Sequence, residues 1–192
     1  MSYITPFLNI PLITQVDQSI NSKMIFLTNP QLTKVMIVTT NIISPPVLLI
    51  LSIVISIILV YKKRRHNAIL LLTTITTGSL LVSLIKIAIK RTRPENALIE
   101  VSGYSFPSGH AVIATLFFSL LLYLFKNDIK NTISKYCFIT VNLLLVLVVG
   151  FSRIYLHVHW FSDVVIGYII GLLWIVLSVI IFNKITSHTA AT

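Results

Sequence analysis

Three short stretches of this chain hold most of the side chains that could grip an anion and move a proton. The first runs from Lys86 to Arg93-Pro94. Lys90 and Arg93 follow Lys86 at i+4 and i+7, which puts all three on one face of a helix. Arg91 is expected to point elsewhere, into solvent, and Pro94 to end the helix just after Arg93. Arginine offers oxyanions a planar fork and lysine a point charge. The second is Phe106-Pro107-Ser108-Gly109-His110. Ser108 is a favourable N-cap. A helix start built from Ser and Gly also presents free N–H groups to an anion, and Gly109 allows close backbone approach. His110, in the first turn, can deliver a proton near neutral pH. The third holds Ser152-Arg153, His157, His159 and Asp163. His159 and Asp163 are four apart, on one side of any helix that starts there. A carboxylate on one imidazole nitrogen fixes the tautomer and leaves the other nitrogen free to attack. His157, two residues from His159, points elsewhere and reads as a membrane-interface residue.

Each stretch also has a purely structural explanation. A lysine near the end of an apolar run can snorkel to the interface. Ser108 can cap a helix and do nothing more. Asp163 can be an N-terminal acid beside the interfacial aromatics Tyr155 and Trp160. The positions of the three clusters along the chain decide between these readings.

The chain has 192 residues, enough for one domain, with 56% hydrophobic and only 10% charged side chains; its mean hydropathy is +0.94. A soluble domain carries about 25% charged residues, so the chain reads as solvated by lipid. Its 15 Lys+Arg against 5 Asp+Glu give a net charge of +10. Among apolar runs, loop topology and anionic ligands explain that excess better than nucleic acid does. The single Cys137 excludes an internal disulfide. No basic segment followed by an apolar run marks a cleaved signal.

A spanning helix needs about 20 mostly apolar residues. Five candidates satisfy this, at 42–61, 68–89, 109–125, 136–155 and 164–182. The expected fold is an all-α polytopic membrane helix bundle of five to six transmembrane helices. Leu32, Val35, Met36 and Ile43 recur at helical spacing, as in an amphipathic helix lying at the surface. Residues 3–20 carry a weaker pattern broken by Pro6 and Pro11. A sixth span there is opposed by Asp17, Lys23 and Pro30. The expected division is an interfacial segment at 1–41, a transmembrane domain at 42–183 and a cytoplasmic tail at 184–192.

Cations tend to stay on the cytoplasmic side. The run Lys62-Lys63-Arg64-Arg65 therefore fixes the orientation, and alternation puts 126–135 and the tail on the same side. Segments 90–107 and 153–163 then face outward, yet carry Lys90, Arg91, Arg93 and Arg153. Cations on that side need another reason to exist, and anion binding supplies one. A transporter would spread its charges through the depth of the spans; here they gather at one end.

At these residues the sequence resembles the type 2 phosphatidic acid phosphatase family, which shares its site with vanadium haloperoxidases. Lys86 through Arg93-Pro94 looks like the first family signature, Pro107-Ser108-Gly109-His110 the second, and Ser152-Arg153, His159 and Asp163 the third, in order and with matching spacing. The resemblance implies a membrane-embedded lipid phosphate or diphosphate phosphatase; the compact layout and short loops point to a bacterial one, and the basic 62–65 run to a site facing away from the cytoplasm. Lys86, Arg93 and Arg153 would hold phosphate oxygens, with Ser108 and the Gly109 N–H completing the cradle. His159 would attack phosphorus, Asp163 would orient it, and His110 would protonate the leaving oxygen and then activate water. No cofactor or metal is expected, and the partner is a lipid phosphate. Phosphatidic acid, phosphatidylglycerol phosphate, undecaprenyl diphosphate and lipid A phosphates are all compatible, as is transfer of the phosphoryl group to another lipid. The short segment from Glu95 to Tyr104 favours a small head group or a polyprenyl diphosphate.

Overall fold

The computed structural model describes residues 11–189; expectations for residues 1–10 and 190–192 lie outside these described residues. Seven helices follow in order: α1 (Pro11–Leu27), α2 (Pro30–Ile42), α3 (Pro45–Tyr61), α4 (Arg65–Ile89), α5 (Gly109–Phe125), α6 (Thr132–Tyr155) and α7 (Phe161–Thr189). Local chemistry sets several starts. The Asn29 side chain accepts from Leu32 N at 2.9 Å, and Pro30 stands where no N–H partner is needed. Asn131 caps α6 through Ser134 N at 2.9 Å. Pro45 opens α3 after a break at Ile43 and Ser44.

The organising element is α5. Every residue from Ala111 to Phe118 is buried, because α3, α4, α6 and α7 surround it. The surrounding helices turn apolar faces outward, with Ile50, Leu80, Leu144, Leu173 and Ile180 among the exposed residues. So much exposed apolar surface fits lipid rather than water. Several buried hydroxyls bond to nearby carbonyls: Ser52 Oγ donates to Leu48 O and Thr115 Oγ1 to Ala111 O, each at 2.7 Å within its own helix, and Ser56 Oγ of α3 donates to Ala68 O of α4 at 3.3 Å. In lipid such internal partners replace the water that is absent.

Five to six uninterrupted spans are more than length and composition support. Among the described residues, three helices qualify outright, Arg65–Ile89, Thr132–Tyr155 and Phe161–Ser187. A fourth span arises if α2 and α3, bent by 42° at the Ile43–Ser44 break, count as one. The difference lies in α3 and α5. Each has 17 residues, or about 26 Å at the helical rise, against a hydrocarbon core of about 30 Å. The apolar run from residue 42 does not show the break at Ile43 and Ser44, whereas the run 109–125 has the bounds of α5 itself.

The bundle has two chemically distinct ends. At one, Arg64 of the α3–α4 turn pairs with Asp128 of the α5–α6 turn and donates to Leu124 O. His66 meets Phe182 of α7 edge-on at the same end. At the other end the long α4–α5 connection, residues 90–108, lies against the α6–α7 turn, with Leu98 N donating to Leu156 O at 3.0 Å. The three clusters all lie at this second end.

Candidate active site

A cavity of about 520 Å³ opens at the second end. Lys86, Arg93, Gly109, His110, Arg153 and His159 line its polar side; Pro45, Val82 and Ile113 form an apolar wall. Five elements supply the polar side, since Lys86 lies near the end of α4, Gly109 and His110 start α5, Arg153 is near the end of α6, Arg93 comes from the α4–α5 connection and His159 from the α6–α7 turn. The structure thus brings together residues up to 73 positions apart in sequence.

The α4 helix stops at Ile89, and Lys90 takes a left-handed conformation with φ 54°. The expected continuous stripe from Lys86 to Arg93 therefore does not exist. Lys90 is exposed and takes no part in lining the cavity. Arg93 reaches the site from an irregular segment held by backbone carbonyls. Its Nε donates to Gly103 O at 3.0 Å, Nη1 to Val158 O at 2.6 Å and Nη2 to Ser102 O at 3.2 Å. Lys86 Nζ donates to Tyr104 O at 2.5 Å. The head of each cation is thus placed by the loop that closes over it.

His159 is 3% exposed. Its Nε2 lies 3.3 Å from Arg93 Nη1. Arginine only donates, so Nε2 is the acceptor and the ring proton sits on Nδ1. Nδ1 faces Asp163 Oδ2 at 3.5 Å, too long for a full hydrogen bond, and has no other partner. Burial pushes the imidazole down to about 4, against the upward pull of the Asp163 carboxylate. The ring is neutral at pH 7, with a lone pair on the nitrogen beside the cations.

Two further buried polar atoms here have no partner, Ser108 Oγ and Arg153 Nε. Ser108 occupies the N-cap position of α5 but makes no side-chain cap bond, contrary to its reading as a capping residue. Arg153 is anchored through Nη1, which donates to Thr40 Oγ1 at 2.7 Å. Gly109 is not required by protein packing, since an added Cβ would meet only Val82 Cγ1 at 3.6 Å.

Three expectations about the surroundings need correction. Arg91 is not solvated: its side chain is 14% exposed and bridges Asp17 Oδ2 at 2.7 Å and Asp163 Oδ1 at 2.5 Å. His157 does not face the membrane interface. It is buried, at φ 55°, and its Nδ1 lies 2.6 Å from Asn21 Oδ1 and 3.1 Å from Asn96 Nδ2. Tyr155 is also fully buried, and its hydroxyl meets Asn29 N and Thr33 Oγ1. In each case α1, α2 or the α4–α5 connection covers a residue that would otherwise face outward. Asp17 was the functional candidate least visible in the sequence. Its only signal is that it is one of five acidic residues, set inside a weakly amphipathic segment.

Comparisons with known proteins show what the chain as a whole is similar to. The PAP2 superfamily model matches residues 67–187. Phosphatidylglycerophosphatase B of Bacillus subtilis (strain 168) is 30% identical over 164 residues, 84% of this chain and 80% of that protein. A dihydrosphingosine 1-phosphate phosphatase of Schizosaccharomyces pombe is 40% identical over 70 residues, 35% of this chain and 17% of its own. Among solved structures, a transmembrane PAP2-type phosphatidylglycerolphosphate phosphatase from Bacillus subtilis superposes with a TM-score of 0.84 at 29% identity, covering 93% of this chain and 90% of that one. LpxE of Aquifex aeolicus shares the fold, with a TM-score of 0.65 at 23% identity over 86% of this chain and 93% of its own. The chain belongs to the PAP2 superfamily and is a lipid phosphatase.

Proposed function

We propose that the cavity hydrolyses a lipid phosphate through a phosphohistidine on His159. The observation that carries this reading is that three of the five buried side-chain polar atoms without partners among the described residues, Ser108 Oγ, Arg153 Nε and His159 Nδ1, fall at this end of the bundle, the last two on residues that line the cavity with Lys86 and Arg93. An unsatisfied buried polar group costs about 1–3 kcal/mol. A phosphate bound here would satisfy the first two and tighten the His159–Asp163 contact. Phosphoryl transfer asks for positioning and for stabilisation of charge on the equatorial oxygens, and fixed cations in a water-poor cavity offer both.

In this mechanism Lys86, Arg93 and Arg153 hold the non-bridging oxygens, helped by Ser108 Oγ and the Gly109 N–H. The His159 Nε2 lone pair forms a bond to phosphorus as the bond from phosphorus to the lipid oxygen breaks. His110 gives its proton to that oxygen, and the lipid alcohol leaves. A water then attacks the phosphohistidine while His110 takes its proton. The P–N bond breaks, phosphate leaves, and the electron pair returns to Nε2. Asp163 holds the Nδ1 proton throughout and balances the charge that the ring gains.

The apolar wall of Pro45, Val82 and Ile113 gives an acyl chain a place beside the cations. We place five crossing helices, α3 to α7, in an inner membrane. The basic 62–65 turn would be cytoplasmic by the positive-inside rule, and the site would face outward. The likeness to a phosphatidylglycerophosphatase favours a phosphomonoester with a small head group as substrate. The test is phosphate release by purified protein in detergent from phosphatidylglycerol phosphate, phosphatidic acid, undecaprenyl diphosphate and a lipid A phosphate. Free phosphate from at least one, abolished in His159→Ala, is expected. Turnover in His159→Ala, or phosphate recovered only on a second lipid, would overturn it.

A further inference from the structure

A buried charge network behind the nucleophile begins on α1, outside the segment matched by the superfamily model. Asp17 is 2% exposed. Its Oδ1 accepts from Ser162 N at 2.8 Å, and its Oδ2 from Ser162 Oγ at 2.6 Å and Arg91 Nη2 at 2.7 Å. Arg91 Nη1 donates to Ser162 Oγ at 2.7 Å and to Asp163 Oδ1 at 2.5 Å, and its guanidinium lies 5.6 Å from the Trp160 ring centre. The other Asp163 oxygen accepts from Trp160 N at 3.0 Å and faces His159.

We propose that Asp17 and Arg91 are positioning residues for the reaction at His159, acting through Asp163. Arg91 fixes the rotation of the Asp163 carboxylate by holding Oδ1, so that Oδ2 stays on the Nδ1 side of the imidazole. Asp17 fixes Arg91 and the first turn of α7 together. Charge gives Asp17 a second effect. Two carboxylates and one guanidinium sum to one negative charge, while Arg91 and Asp163 alone sum to zero. A ring phosphorylated on Nε2 and protonated on Nδ1 carries a positive charge that the neutral resting ring lacks. The trio matches the charged ring and the pair does not. In a buried setting the difference is weakly screened, so it acts on the chemical step and not on substrate capture.

The proposal rests on His159 being the nucleophile. It also differs from simple docking of α1, because α1 has a second polar anchor one turn on. There Asn21 meets Asn96 at 3.1 Å and His157 at 2.6 Å. The experiment compares Arg91→Gln, Arg91→Lys, Asp17→Asn, Asn21→Ala and His159→Ala in detergent. Its readouts are kcat, KM and competitive inhibition by inorganic phosphate. Outer-shell partners of this kind are worth about 10- to 100-fold in activity. Arg91→Gln and Asp17→Asn should lose kcat in that range, with KM and phosphate inhibition unchanged. Arg91→Lys, which keeps the charge and loses the fork, should fall between Arg91→Gln and the parent. Asn21→Ala should keep kcat. Parental kcat in Asp17→Asn overturns the proposal. So does a parallel loss of phosphate inhibition, or an equal loss of kcat in Asn21→Ala, since either means a structural role. Turnover in His159→Ala would instead remove the nucleophile assignment beneath it.

Discussion

Gly150 lies one turn before Arg153 on α6, and a methyl group there should damage both stability and rate. An added Cβ would sit 1.7 Å from Tyr168 Oη, 2.5 Å from its Cζ and 2.6 Å from Val164 Cγ1. All three atoms belong to the start of α7, next to Asp163. Tyr168 can swing away only by breaking the bond its single hydroxyl proton shares between Val146 O at 3.1 Å and Leu147 O at 3.3 Å, roughly 0.5–1.5 kcal/mol. Val164 cannot swing. It is 1% exposed, and a β-branched side chain in a helix has one strongly preferred rotamer. Opening its contact from 2.6 Å to an ordinary 3.4 Å therefore moves α7 by roughly 0.8 Å. Overpacking of this kind costs about 1–3 kcal/mol. Replacing a mid-helix glycine returns roughly 0.5–1 kcal/mol, so the net loss is on the order of 1–3 kcal/mol. Misplacement by about 1 Å costs about 100-fold in rate. Gly150→Ala should accordingly lower kcat by ~10- to 100-fold. Phosphate release and the thermal midpoint in detergent measure both effects. Gly150→Ala/Val164→Ala, which removes the rigid clash, should recover part of the rate. A parental midpoint and kcat in Gly150→Ala would refute the claim that this contact sets the spacing of Arg153 and Asp163.

The remaining predictions concern the site directly. NMR titration of labelled imidazole should find His159 neutral down to about pH 4, and a midpoint near 6.5 would contradict its burial. Because the folded imidazole is lowered while the unfolded one takes up its proton near 6.5, this group removes stability as pH falls from about 6.5 to about 4. Vanadate, a five-coordinate phosphate mimic, should inhibit competitively and EDTA should not; strong inhibition by EDTA would point to a metal mechanism. Gly109→Ala should leave the thermal midpoint intact, because its Cβ has room against Val82, yet reduce kcat by crowding the bound phosphate. Unchanged kcat would remove Gly109 from the cradle.

The sequence foretold the composition of the site better than the way the site is built. Lys86, Arg93, His110, Arg153 and His159 were legible because their types and spacing are chemically constrained, and they do line one cavity. The route to that arrangement was not legible. Helical periodicity carried α4 on to Arg93, but Lys90 adopts a left-handed conformation and ends the helix at Ile89. That turn sends Arg91 inward toward Asp17 and Asp163. Periodicity cannot report such a turn, and Pro94 offered a plausible stop four residues later. Asp17 went unnoticed as a site candidate, and His157 was misplaced, for a related reason. Each lies in a stretch whose own pattern says surface, and each is buried by an element distant in sequence, at |i−j| of 145 for Asp17 and Ser162 and 136 for His157 and Asn21. The start of the first span differs for a simpler reason: hydropathy carried it back to residue 42, whereas Ile43 and Ser44 break the chain before Pro45.

The most direct test of the central claim is to trap the intermediate. Purified protein mixed with a phosphate-labelled lipid substrate, quenched within milliseconds in base to preserve a phosphoramidate, should carry label on the peptide containing His159. The label should be lost in acid and absent from His159→Ala. Label on another residue, or turnover with no labelled protein at any quench time, would contradict a mechanism that runs through His159.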